Sequence, residues 1–176
     1  MLITHAIKNN PEKTAEEKLL LILEQGLIPG WTIRSHDGVS DPRFIYFELF
    51  PRLESIDNGW GIHSLVLDNS WVRTHNSQFE DRSDDDSKDD IEPFLKQLGI
   101  IRPEPLSPGP SHYDDIQGYQ IVSRGPVPVA AFESLVIKSA GAYRFQERVG
   151  RTKVKSLVPS LRVYEVDPRK GTSREL

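Results

Sequence analysis

Apolar residues recur at two different spacings along this chain. Between residues 14 and 25, Ala15, Leu19, Ile22 and Leu23 fall at helical intervals. Thr14 and Glu17 open the stretch as a capping box: a hydroxyl that accepts from an early amide, and a carboxylate three residues on that reaches back. Gly26 follows, the residue type that tolerates positive φ at a helix end. This pattern predicts a helix over residues 14–25. Elsewhere the apolar positions are β-branched and aromatic and come in short runs. Residues 2–7, 43–49 between Pro42 and Pro51, and 62–67 after a turn at Asn58, Gly59, Trp60 and Gly61 read as strands, with 71–74 extending the last of them.

Farther on, Asp90 caps a short helix over residues 91–98, closed by Gly99. Pro103, Pro105, Pro108 and Pro110 make residues 102–112 an extended connector. Residues 119–123, 132–138 and 161–166 read as further strands, with a turn at Arg124, Gly125 and Pro126. One helix near the start with five or six strands after it predicts an α+β fold, with mixed or mainly antiparallel sheets and few short helices. Residues 1–168 are expected to form one domain, and 169–176 a flexible polar tail.

Composition narrows the chemistry. The 176 residues suffice for a hydrophobic core, and none is cysteine. Disulfides, thiolate metal sites and a cysteine nucleophile are thereby excluded, and a reducing, cytoplasmic setting is expected. The longest apolar run, residues 19–23, is far short of the ~20 that span a bilayer. The first residues carry no signal-peptide pattern, so no membrane association is expected.

Net charge is −4 but unevenly spread. Residues 139–176 hold nine Lys or Arg against four Asp or Glu, so the preceding part is strongly acidic. Residues 80–90 hold seven acids and two bases, a run expected to be a solvated, mobile loop. Its spacing does not follow a calcium loop. The basic residues Arg144, Arg148, Arg151, Lys153 and Lys155 read as an offset to the acidic part, because no set of aromatics is interleaved with them. His5, His36, His63, His75 and His112 show no metal-binding spacing, so no metal site is assigned. No Gly-rich phosphate loop and no Gly-x-Ser-x-Gly elbow is present.

Four patches occur in a telling order: Thr4 and His5 on a first strand, residues 22–29 ending the helix as Ile-Leu-Glu-Gln-Gly-Leu-Ile-Pro, then Ile45, Tyr46 and Phe47, and finally residues 119–132. In that order they resemble the ADP-ribosyltransferase-like superfamily, closest to bacterial DNA-modifying ADP-ribosyltransferase toxins, rifamycin ADP-ribosyltransferases and RNA 2′-phosphotransferases. The resemblance implies NAD as substrate and a nucleic acid, protein or small molecule as acceptor. It implies that His5 bonds a ribose hydroxyl, that Tyr46 stacks on nicotinamide, and that Arg34 or Arg43 pairs with the pyrophosphate. Such sites carry an acidic residue on a late strand to favour a ribosyl cation. Here Gln120 stands at that position and supplies no charge. Either Asp114, Asp115 or Glu133 serves, or the reaction needs no carboxylate there, or the domain binds without turnover as an interaction or nucleotide-sensing module of a toxin or defence system. Plain structural roles are open to the same residues: His5 as a part-buried histidine, Tyr46 as a core or rim aromatic, Arg43 as a strand flank, Gln120 as an ordinary strand residue.

Overall fold

The computed structural model describes residues 1–29, 44–56, 62–82, 88–102 and 120–176, and only the backbone of 88–90 and 120. The described residues form eight strands: β1 (Leu2–Ile7), β2 (Ile45–Phe50), β3 (His63–Leu67), β4 (Phe79–Asp81), β5 (Gln120–Ser123), β6 (Phe132–Lys138), β7 (Arg162–Asp167) and β8 (Thr172–Glu175). They make one sheet in the order β4-β5-β2-β1-β3-β6-β7-β8. Every pairing is antiparallel except β6 with β7. The fold is α+β, with a mixed and mostly antiparallel sheet.

Among the described residues five α-helices accompany it: α1 (Ala15–Gln25), α2 (Asn69–Thr74), α3 (Lys88–Leu98), α4 (Ser139–Arg148) and α5 (Gly150–Leu157). All five contribute to one core on a single sheet face, through Leu19 and Ile22 of α1, Val72 of α2, Leu95 of α3, Phe145 of α4 and Val154 of α5. The sheet answers with alternate residues: Ile3 and Ile7, Ile45 and Phe47, Leu65 and Leu67, Leu135 and Ile137. The other face holds a smaller cluster of Ile56, Val66, Val136 and Val166 with Leu2, Phe50 and Tyr164.

α1 forms as its sequence dictates. The Thr14 hydroxyl accepts from the Glu17 amide, the Glu17 carboxylate accepts from the Thr14 amide at 2.7 Å, and Gly26 ends the helix at φ +78°. A Cβ on Gly26 would lie 2.5 Å from the Val127 carbonyl oxygen, so the chain passes close enough there for Leu27 and Val127 to exchange two backbone hydrogen bonds.

Several expectations need correction. Residues 71–74 do not extend β3. They lie in α2, because Asp68 caps it by accepting from the Ser70 amide at 2.7 Å, and Val72 is its buried residue. α3 starts at Lys88, three residues before the expected start. The acidic run is not a loop throughout: Glu80 and Asp81 belong to β4, and Asp81 is buried. The tail expected to be flexible pairs as β8 against β7. α4 and α5 were not foreseen. The turn at 58–61 and the connector's four prolines lie outside the described residues.

Candidate functional site

His5 sits at 9% exposure on β1. Its Nδ1 lies 3.0 Å from the Tyr46 backbone carbonyl, which only accepts, so Nδ1 carries the proton and donates. The ring meets Phe47 edge to face at 5.8 Å. Burial lowers the imidazole pKa to about 4, opposed by the Tyr46 carbonyl and assisted by Lys8 and Lys18. At neutral pH the ring is therefore neutral, with Nε2 an acceptor. In this tautomer His5 accepts a hydrogen bond from a hydroxyl; it does not donate one.

Tyr46 lies between Ile45 and Phe47, both in the helix-side core, so strand alternation turns its half-buried ring to the opposite face. The resemblance implies that His5 and Tyr46 hold parts of one NAD molecule, but their side chains lie on opposite faces of the sheet and share no cleft. His5 instead holds the backbone of Tyr46 from behind.

The Tyr46 face carries a second group of residues. Val122 is directly opposite Tyr46, and Glu80 directly opposite Val122. Glu80 is 12% exposed and accepts from Arg82 at 3.2 and 2.8 Å with one carboxylate oxygen, while the other pairs with Arg124. Both guanidinium groups lie over the Phe44 ring, at 5.2 and 5.8 Å from its centre. The cluster joins three strand regions and leaves Arg124 half-exposed. Glu48, two residues after Tyr46, shares its face. Thr4 and Gln120 are its register partners on the two neighbouring strands, and the Thr4 hydroxyl donates to the Glu48 carbonyl at 3.3 Å.

Arg34 and Arg43, and the alternative acids Asp114 and Asp115, lie outside the described residues. Glu133 stands on β6, separated from β5 by β2, β1 and β3, where it pairs with Arg162 at 3.6 Å, so it is not beside Gln120. Glu48, Arg82 and Arg124 were missed by the sequence reading. Only register reveals them, since each looks like an ordinary strand or turn residue until β4, β5 and β2 are aligned. Scans of protein-family models, of curated proteins and of solved structures each gave no match.

Proposed function

We propose that this domain is ADP-ribosyltransferase-like and takes NAD against the sheet face that carries Tyr46. One observation supports this above the others: the four sequence patches behind the resemblance converge. β1, β2 and β5 are neighbours in the sheet, and Leu27, at the end of the helix patch, bridges Val127 of the late patch.

In this reading Tyr46 offers its ring to the nicotinamide. Arg124, half-exposed and paired with Glu80 through Nε, offers its remaining guanidinium donors to the pyrophosphate. Glu48 supplies the negative charge that Gln120 lacks, at the adjacent register position. His5 is a positioning residue that fixes the Tyr46 backbone. In transfer, the bond from ribose C1′ to nicotinamide breaks and its electron pair leaves with neutral nicotinamide. The acceptor's oxygen or nitrogen bonds to C1′ and gives up its proton. Calorimetry with NAD and a nicotinamide-release assay test the proposal. Binding in the micromolar to millimolar range with release sensitive to Glu48 is expected. No binding to the wild-type chain at millimolar NAD overturns it.

A further inference from the structure

We propose that the sealed Glu16–His63 contact is a proton-operated latch that holds the α4–α5 pair on the sheet. α1 and α4 close on the imidazole from two sides. Glu16 of α1 brings Oε1 to 3.3 Å from His63 Nε2, with the two side chains at 1% and 0% exposure. Phe145 of α4 meets the ring edge to face, 5.8 Å between centres. α4 lies so close that a Cβ on Gly141 would stand 3.6 Å from His63 Cε1 and 2.2 Å from Ile62 Cγ2. The register partners of His63 on the flanking strands are Ile7 of β1 and Ile137 of β6, both apolar.

Adding a proton to His63 sets the two helices apart. Nε2 donates to the Glu16 carboxylate, so an incoming proton goes to Nδ1. Nδ1 has no hydrogen-bond partner among the described residues, and a buried donor without one is costly. Burial disfavours the charged ring, and the guanidinium of Arg144, on α4, repels it. Glu16 acts in the opposite sense, favouring the imidazolium through its hydrogen bond and its charge. Burial prevails, and the imidazole pKa lies below its ordinary 6.5. Moving α4 away relieves the burial, removes Arg144 and lets water reach Nδ1. Moving α1 away takes the favourable carboxylate with it. Protonation therefore drives α4 off the sheet and keeps α1 on it.

α4 and α5 are also the more weakly held. α1 is fastened by its capping box and buries Ala15, Glu16, Leu19, Ile22 and Leu23. α4 and α5 start at Lys138 and Val149 with no side-chain cap, and between them bury Gly141, Phe145 and Val154. Elements with few buried contacts are the ones that open without the rest of the fold. The docked pKa is the lower one, so the open form takes up the proton first. The latch is fully closed above about pH 7 and loosens as pH falls through 6.5. It lies on the helix side of the sheet, away from Tyr46, and does not depend on NAD.

Amide hydrogen exchange read by mass spectrometry at about pH 7.5 and about pH 5, with intrinsic rates divided out, tests the latch. On acidification, peptides over α4 and α5 should lose about fivefold more protection than those over α1, β1 and β3. Glu16→Met with His63→Leu removes the titrating pair and should abolish that selective loss, although His5 still titrates. Arg144→Glu alters an exposed side chain and should fold as wild type does. It replaces repulsion of the imidazolium by attraction, so the selective loss should shrink to about twofold or less. Protection lost evenly across all elements overturns the latch, as does α1 opening ahead of α4. A selective loss that persists in the double variant, or one as large in Arg144→Glu as in wild type, also overturns it.

Discussion

The Nε2 atom of His63 lies 3.3 Å from Oε1 of Glu16, 47 positions away in sequence, and both side chains are sealed in the core. Neither His63 Nδ1 nor Glu16 Oε2 has a hydrogen-bond partner among the described residues. His63 also meets the edge of Phe145 at 5.8 Å, so α1, β3 and α4 are joined at this point. A polar pair placed here must be kept intact. Removing one member strands the other in apolar surroundings. Glu16→Ala should cost about 2 kcal/mol or more for that reason. Replacing both residues, as in Glu16→Met with His63→Leu, should recover most of that loss. Chemical denaturation of the two single variants and the double variant reads the coupling.

Acid should weaken the fold through two histidines. Burial lowers the pKa of His63, opposed by Glu16, and lowers that of His5 to about 4 from 6.5. Because the folded-state values are the lower ones, the unfolded chain takes up protons first. Stability is therefore full above about pH 7 and declines as pH falls through 6.5, the His5 contribution continuing to fall until about 4. His5 alone should account for about 2 kcal/mol between pH 7.5 and pH 5. His5→Gln keeps a neutral donor for the Tyr46 carbonyl and should flatten much of that slope. Urea titrations across this range decide, and a stability that rises toward pH 5 contradicts the buried neutral imidazole.

Gly26 tests the join between α1 and the late patch. At φ +78°, with the Val127 carbonyl oxygen 2.5 Å from where a Cβ would stand, alanine meets both backbone strain and a clash with main chain that cannot rotate away. Gly26→Ala should cost about 2 kcal/mol or more. Gly171→Ala shares the positive φ but has open space around it, so its cost should be smaller. Thermal melts of the pair separate the clash from the strain.

What was legible in the sequence follows from where each element gets its stability. α1 announces itself because its apolar period, capping box and terminal glycine all lie within about a dozen positions. β2, β3 and β6 are visible because central strands are rich in buried apolar residues. α4 and α5 bury only Gly141, Phe145 and Val154 beneath a charged exterior, which leaves little period to detect. β8 buries none of its residues and is held by main-chain pairing with β7, which composition does not encode. Trp71, Val72 and Thr74 have the residue types of a strand, yet the Asp68 cap places them in a helix. The candidate site was half legible. The strands bearing His5, Tyr46 and Gln120 are neighbours in the sheet, in the order β5-β2-β1. The phase of one strand against another is set by long-range register, so the opposed faces of His5 and Tyr46 and the alignment of Glu48 with Gln120 were hidden.

That alignment gives the sharpest test of the NAD reading. Glu48→Gln keeps the shape of the side chain and removes its charge. If this carboxylate steadies a ribosyl cation, nicotinamide release should fall by about a hundredfold while NAD affinity changes little, since the charge acts on the transition state and not on the bound ground state. Tyr46→Ala should do the reverse, weakening NAD binding by roughly tenfold through the lost stacking face. His5→Ala adds to that loss by freeing the Tyr46 backbone, and its effect should vanish in the Tyr46→Ala background, as befits a residue that acts through another. Gln120→Glu brings a second carboxyl to the position opposite Glu48. Two carboxyls at adjacent register positions repel when both are ionised, so one pKa of the pair must rise. The variant should release nicotinamide faster than wild type only above that raised pKa, giving a pH profile displaced toward alkali. A Gln120→Glu profile superimposable on wild type, together with an unaffected Glu48→Gln, would show that the chemistry does not run between these two strands.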